Sequence, residues 1–260
     1  MTGLEKEKKV QFKKVPALVK GFKVLELLAN SRTPLGVTEI TNLLELNKST
    51  VFNIVHTLLE LGFLDSSPEN KVRLGLKFHD LSRVADPYAV LISKIHPFLE
   101  EINRQTRLSV FLGLRSDHKA VIIDKVDSPQ GIKVSSEIGM KIPLIAGSHG
   151  RALLSHLSDQ QLDEILTAHK INPFTAKSCT SLGRIKQEIK KTREERFAYD
   201  DEGYLEGIRS LAIPILTGRS DFQSAVWIVG LKSQITDEMI PGYKKLLKQT
   251  GAHLEALFSR

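Results

Sequence analysis

Residues 38–64, TEITNLLELNKSTVFNIVHTLLELGFL, constrain the fold more than any other stretch of the chain. They predict two short helices joined by a tight connection, and the second helix is amphipathic. Apolar side chains recur at helical spacing on one side of it, namely Val51, Ile54, Val55, Leu58, Leu59 and Leu61. Hydrogen-bonding side chains lie on the other side, namely Lys48, Ser49, Thr50, Asn53 and His56. This arrangement predicts a helix-turn-helix.

The first turn of the second helix carries a cation that helix stability does not explain. Asn47 is the predicted N-cap, so residues 48–50 lie in this turn. Lys48 is unfavourable there because the N-terminal end of the helix dipole is positive. A DNA phosphate accounts for the lysine, since the first turn also presents free backbone N–H groups. We therefore predict that this helix enters the major groove of DNA, with Asn53 reading an adenine through its amide.

The flanking residues complete a winged helix-turn-helix domain over residues 16–75. An apolar pattern from Pro16 to Asn30 predicts a first helix, with the proline near its first turn. Beyond the second helix of the motif, residues 63–65 and 71–74 predict two strands joined by a turn. Lys71 and Arg73 lie on this predicted wing, where they would meet the DNA backbone or minor groove.

Length and charge place this domain in a larger protein with an anionic partner. The 260 residues allow two domains, and the net charge is +7. Charge alone does not separate nucleic acid from a membrane surface. No apolar run approaches the ~18–20 residues of a membrane helix, so we expect a cytoplasmic protein without a membrane partner. The single Cys179 excludes an intramolecular disulfide and a multi-cysteine metal site.

Two readings fit the lysine-rich residues 1–15. They form a flexible solubilising arm, or they form a basic tail that grips phosphates.

The remaining chain predicts an α+β domain. Residues 76–86 predict a linker helix, and the domain then spans residues 87–260. Its β-rich runs are expected at 108–114, 120–126, 132–136, 207–216 and 222–231, with helices before, between and after them.

Several motifs give the chain a definite resemblance to a known family. NKSTVFNIVHTLLELGFL and KVRLGLKFHDLS resemble the DNA-binding half of the IclR family of bacterial regulators. GMKIPLIAGSHGRALL, DDEGYLEGIRSLAIPI and TDEMIPGYKKLL resemble the second half of the same family. The resemblance implies a GAF-like α/β sensor domain with a mostly antiparallel sheet, which holds a small organic effector. It also implies a homodimer, often a tetramer, on a palindromic DNA operator.

The resemblance also indicates where an effector would bind. It places the effector-contacting loop at Ser148 and His149, where a helix N-terminus could bind a carboxylate. The alternative is that Ser148 is an N-cap and His149 a surface residue. By position Asp200 matches the family's pocket acid and Ser210 its pocket cysteine. Apolar wall residues are expected, again by position, at Val134, Ile142 and Ile208.

The strand around Trp227 departs from the family pattern. Trp227 and Val229 stand where the family often has serines, and both point to one face of the strand. One reading is that Trp227 simply packs the core. In the other reading it faces the pocket, which would then suit a carboxylated or hydroxylated aromatic, or another apolar acid.

No pattern in the sequence predicts catalysis, a metal site or a cofactor. Asp200 and Asp201 could form an acid–base pair, but no histidine or third acid stands at ligand spacing. Gly147-Ser148-His149-Gly150 resembles a nucleophile turn only superficially. The alternatives to an effector-controlled regulator are an enzyme with a DNA-targeting module and a nonspecific DNA-packaging protein. A winged helix that binds protein would instead show an apolar outer face.

Overall fold

A computed structural model describes residues 13–85, 88–168, 171–217 and 222–258. The contacts divide the chain into two compact units, with the division between residues 87 and 88. Most of the predicted basic arm, residues 1–12, lies outside the described residues. Among the described residues, no helix is both long enough and apolar enough to cross a membrane.

The N-terminal unit is a winged helix-turn-helix. Its helices are α1 (Pro16–Ala29), α2 (Val37–Leu44), α3 (Lys48–Glu60) and α4 (Lys77–Ala85), and its strands are β1 (Leu64–Ser66) and β2 (Val72–Leu74). The two strands pair antiparallel, with Leu64 opposite Leu74. Leu35 adds an isolated bridge to Val72, and both of its backbone hydrogen bonds are about 3 Å long (3.0 and 2.8 Å). The fold and the order of its elements confirm the winged helix-turn-helix predicted for the N-terminal part of the chain.

The core of the N-terminal unit takes one or two residues from each element of the motif. Its buried members are Val24, Leu28, Ile40, Val51, Val55, Leu64 and Val72. The predicted apolar pattern of α1 is only partly used by this core. Leu18 and Phe22 remain 60% and 57% exposed, so the outer face of α1 is apolar.

The C-terminal unit is built on one six-stranded antiparallel sheet. Its strands are β3 (Ser109–Ser116), β4 (Lys119–Val126), β5 (Lys141–Pro143), β6 (Ala198–Asp201), β7 (Ile208–Ile215) and β8 (Ser224–Leu231). They lie in the order β5-β4-β3-β8-β7-β6. The helices are α5 (Ala89–Thr106), α6 (Gly147–Leu154), α7 (Asp159–Ala168), α8 (Leu182–Glu195) and α9 (Ile240–Phe258).

The sheet separates two apolar cores. Helices α6, α7 and α8 contribute to one core, and α5 and α9 contribute to the other. Alternation along β8 supplies both, since Trp227 and Val229 belong to the first core and Val226 and Ile228 to the second. A strand covered on both faces needs apolar residues at every position, which explains the continuous run from Ala225 to Val229.

The strand predicted at residues 132–136 is wrong. Ile132 is 72% exposed, and its carbonyl accepts a hydrogen bond from Gln234 Nε2 at 2.8 Å. Asp127 accepts a hydrogen bond from the Ser135 hydroxyl at 2.7 Å, which holds the same segment as a loop. The edge of the sheet is formed instead by β5, where Ile142 pairs with Ala120 of β4.

Candidate DNA-binding surface and effector site

Helix α3 separates the predicted DNA-contacting side chains from the core. Val51 and Val55 are buried beneath it. Lys48, Ser49 and Asn53 are exposed on its outer side, whereas Thr50 is half-buried at the edge of that surface. The only acid of α3 is Glu60, its last residue. The N-terminal two-thirds of the outer face is therefore free of negative charge.

The start of α3 leaves its backbone N–H groups free. Asn47 occupies the N-cap position, as predicted, with an extended backbone, and its side chain makes no capping hydrogen bond. Its carbonyl instead accepts the N–H of Val51 at 3.1 Å. An anion placed here would meet both unpaired N–H groups and the ammonium group of Lys48.

The two predicted wing cations have different surroundings. Lys71 lies 3.7 Å from the Glu39 carboxylate, which also accepts the Gly36 N–H at 2.7 Å and so caps α2. Arg73 is exposed, and no described side chain forms an ion pair with it. Among the described residues, no carboxylate therefore competes with a phosphate for Arg73.

Three of the predicted effector residues lie side by side on the sheet. Asp200 of β6 is opposite Ser210 of β7, and Ser210 is opposite Val229 of β8. The N-terminus of α6 covers this row, because the Ser148 hydroxyl donates a hydrogen bond to Ser210 Oγ at 2.7 Å. Ser148 lies inside α6 and the N-cap residue is Ala146, so the alternative reading of Ser148 as an N-cap is wrong.

His149 is a buried, neutral residue of the same site, and the alternative of a surface histidine is wrong. Its side chain is enclosed, and burial lowers its pKa to about 4. Nε2 lies 3.0 Å from the Pro143 carbonyl, which only accepts hydrogen bonds. We therefore assign the proton to Nε2, which leaves Nδ1 as an acceptor.

Trp227 packs in the core and also contacts His149, one of the predicted effector residues. It is 3% exposed, and its ring lies 5.4 Å from that of His149 and 5.7 Å from that of Phe111, between centroids. A Cβ on Gly113 would lie 2.6 Å from the indole Cη2. The glycine therefore provides the space that the indole occupies.

Asp200 and Asp201 do not form an acid–base pair. Successive residues of β6 point to opposite faces, and each carboxylate has its own cation. Asp200 accepts a hydrogen bond from Arg151 at 2.9 Å and two more from the N–H groups of Gly203 and Tyr204. Asp201 accepts a 2.7 Å bond from Arg209, which lowers the pKa of that carboxyl group.

The described residues contain no group of three potential metal ligands.

The other predicted wall residues pack around the same core. Ile142 is buried, and Val134 and Ile208 are partly buried against it. A cavity of about 790 Å³ lies beside α6 and α8, and Asp200 is the one predicted effector residue that lines it.

Sequence reasoning missed Phe111, Tyr204 and Arg151. Their positions give no local signal, since each reaches the site through contacts between distant parts of the chain.

Comparison with known proteins accounts for both units. The model of the IclR helix-turn-helix domain matches residues 17–68, and that of the bacterial transcriptional regulator IclR C-terminal domain matches residues 88–256. The regulator XynR of Escherichia coli is 27% identical over 92% of this chain and 96% of its own length. The Escherichia coli repressor IclR is 28% identical over 87% of this chain and 84% of its own length.

Solved structures agree with these matches. The Thermotoga maritima IclR structure superposes with a TM-score of 0.77 at 26% identity, over 94% of this chain and 98% of that one. An IclR homologue from Microbacterium hydrocarbonoxydans, complexed with 4-hydroxybenzoate, shares the fold with a TM-score of 0.80 at 18% identity, over 94% and 99% of the two chains. The chain belongs to the IclR family of bacterial transcriptional regulators.

Proposed function

We propose that this protein represses transcription as a homodimer that binds a palindromic operator and releases it, or tightens on it, when a small organic effector binds. The observation that carries the proposal is the outer face of α3. Lys48, Ser49 and Asn53 are exposed there beside unpaired first-turn N–H groups, with no acid before Glu60. Such a face matches the phosphates and base edges of a major groove.

Each predicted contact has a separate role. Lys48 and the half-buried Thr50 set the register on phosphates, together with Ser49. Asn53 reads adenine, because its amide offers a donor and an acceptor to N7 and N6 of that base. Arg73 contacts the backbone or minor groove from the wing, and Lys71 contributes less because Glu39 already faces it.

Two DNA-binding domains, one from each copy of the chain, are needed because one winged helix covers few base pairs. The outer face of α1 offers a surface for the second copy, since Leu18, Val19 and Phe22 are 60%, 41% and 57% exposed. Leu81 of α4 adds a further exposed apolar side chain. Burial of these side chains against a partner would remove them from water.

The effector would bind between α6 and the sheet, and we propose a carboxylated or aromatic metabolite. Unpaired N–H groups at the start of α6 suit a carboxylate. Trp227, His149 and Tyr204 supply aromatic walls, with His149 and Tyr204 ring centroids 5.8 Å apart. The bound 4-hydroxybenzoate of the homologue has both features. The polar side chains of this site form hydrogen bonds with one another. We therefore propose that the site binds a ligand and does not catalyse a reaction.

An effector can change DNA binding only if its affinity differs between two arrangements of the dimer. The hydrogen bond between Ser148 and Ser210 joins α6 to the sheet, and a ligand that inserts there would move one relative to the other. Because the target is chromosomal DNA, we place this activity in the cytoplasm of a bacterium or archaeon.

Asn53→Ala tests the proposed DNA contact. Duplexes are first selected from a randomised pool with the parent protein, and affinities for the selected site and for single-base variants are then measured. The variant should lose roughly 1–3 kcal/mol of discrimination per half-site at the adenine position. An unchanged ranking of the duplexes would remove Asn53 as a base-reading residue. Thr57→Ala, one turn along the same helix, serves as the control.

Thermal unfolding in the presence of 4-hydroxybenzoate and other small carboxylates tests the proposed effector site. A ligand that binds the folded protein raises the unfolding temperature, by an amount that grows with the logarithm of its concentration above the dissociation constant. Ser210→Ala should abolish the rise caused by any compound that stabilises the parent protein. An equal rise in both proteins would place that compound elsewhere.

A further inference from the structure

Phe52 is a large apolar side chain on the polar face of α3. It is 50% exposed, although the core beneath this helix is already formed by Val51 and Val55. Helical spacing places it one turn after Lys48 and directly beside Asn53. An exposed phenyl ring contributes little to folding at this position. Its surroundings are those of the predicted DNA contacts, so a ring at this position would face the bases or backbone of the DNA.

His56 fixes the position of this ring. The two rings lie one helical turn apart, with centroids separated by 4.1 Å and planes inclined at 45°. Contact on one side restricts the rotation of the phenyl group and leaves its other side to the solvent. Phe52 is therefore presented at a defined place relative to the Asn53 amide.

The major groove offers one apolar feature at the base edges, the C5-methyl group of thymine. Adenine, the base that suits Asn53, is paired with thymine. A phenyl ring next to an adenine-reading amide is thus placed to meet the methyl group of the same or the neighbouring A·T pair. We propose that Phe52, positioned by His56, reads thymine by covering its C5-methyl group. This proposal rests on the proposed docking of α3 in the major groove.

A protein partner fits this surface less well than DNA. The residues around Phe52 are Lys48, Ser49, Asn53 and His56, which surround the ring with donors and one fixed positive charge. Glu60 is two turns away, at the end of the helix. An apolar docking site would place further apolar side chains around the ring. The charge pattern instead complements a polyanion that carries isolated methyl groups.

Removal of a single methyl group tests the proposal. Full-length protein selects duplexes from a randomised pool, and each thymine of the recovered half-site is then replaced by deoxyuridine. This change deletes the methyl group and keeps the base pair. At one thymine of each half-site, the parent should lose affinity roughly three- to fivefold, the effect of one buried methyl group. Phe52→Ala should bind the thymine and deoxyuridine duplexes equally, and Phe52→Leu should retain part of the difference.

Leu61→Ala is the matched control, because Leu61 is also 50% exposed but is the C-cap residue that follows the last residue of α3. It should discriminate thymine from deoxyuridine as the parent does. Thymine reading is overturned if no thymine shows a methyl effect in the parent, or if Phe52→Ala keeps the parent's ratio. If these results occur while Asn53→Ala still flattens base preference, the docking of α3 stands. If the parent enriches no sequence at all, both proposals fail.

Discussion

At the scale of single residues, the two cations of the wing differ in whether a neighbouring carboxylate already pairs with them. Lys71 forms an ion pair with Glu39, whereas no described carboxylate pairs with Arg73. Exposed ion pairs are weak, but a carboxylate beside Lys71 still reduces the number of counterions that a phosphate contact would release. The two cations of the wing are therefore unequal.

Arg73→Ala should reduce the slope of log affinity against log salt by about 1, because one phosphate contact is lost. Lys71→Ala should reduce it by a smaller amount. Titration of a selected duplex at several salt concentrations measures both slopes. Equal slopes in the two variants would contradict the ranking, and an unchanged slope in Arg73→Ala would remove the wing from the phosphate contacts.

His149 makes stability depend on pH. Its folded pKa is about 4, below its ordinary value of 6.5, so the unfolded chain binds the proton more readily. The stabilisation is present above pH 6.5 and is lost as the pH falls towards 4. Between pH 7 and pH 4.5 this group alone should lower the free energy of unfolding by roughly 2–3 kcal/mol.

His149→Gln keeps a donor for the Pro143 carbonyl and has no titrating ring. Urea unfolding at pH 7 and pH 4.5 should show a smaller acid loss in this variant than in the parent protein. Carboxylates titrate in both proteins, so the difference between the two losses isolates His149. Equal losses would mean that the imidazole is accessible to protons in the folded state.

At the scale of elements, α6 and the sheet are held by close contacts that admit little variation. A Cβ on Gly150 would lie 2.0 Å from the Leu144 carbonyl oxygen, so the helix can approach the preceding chain only with glycine there. Gly113, which has no side chain, likewise leaves room for the indole of Trp227. These contacts determine how much space remains between the helix and the strands.

Gly113→Ala should destabilise the protein by roughly 1–3 kcal/mol, because the new methyl group overlaps the indole of Trp227. Trp227→Phe in the same chain should recover part of that loss, since a smaller ring leaves room for the methyl group. Gly183→Ala in α8 is the control, because nothing lies within 4 Å of its added Cβ. Additive effects of Gly113→Ala and Trp227→Phe would contradict the contact.

At the scale of the whole molecule, the exposed apolar face of α1 requires an explanation beyond the fold of one chain. Leu18 and Phe22 lie one turn apart and are both more than half exposed. Contiguous exposed apolar residues commonly mark contact surfaces. A second copy of the chain would cover them and supply the second DNA-binding head.

Phe22→Asp should convert the proposed dimer to a monomer, because a charge in an apolar contact loses its hydration. Analytical ultracentrifugation measures the change, and affinity for a two-half-site duplex should fall with it. Leu43→Asp is the control for oligomeric state, since Leu43 is 60% exposed on a different helix, α2, beside the C-terminal half of α1. A dimeric Phe22→Asp variant would place the subunit contact elsewhere.

Local patterns predicted most of the fold. Spacing identified α3 and its two faces, and alternation identified the two faces of β8, because these periodicities are set by the backbone geometry of each element. The strand expected at 132–136 was wrong because a local pattern does not show which distant residues will bond to a segment. Its conformation depends on a hydrogen bond donated by Gln234 and on one accepted by Asp127, which no local spacing reveals.

The sequence by itself determined the polar surface of α3, since helical spacing alone decides which side chains share a face. Only the tertiary structure decided which groups of the C-terminal unit are already bonded. Ser148 meets Ser210, Arg151 holds Asp200, and His149 is buried against Trp227. These partners are far apart in the chain, and their contacts arise only when α6 packs onto the sheet.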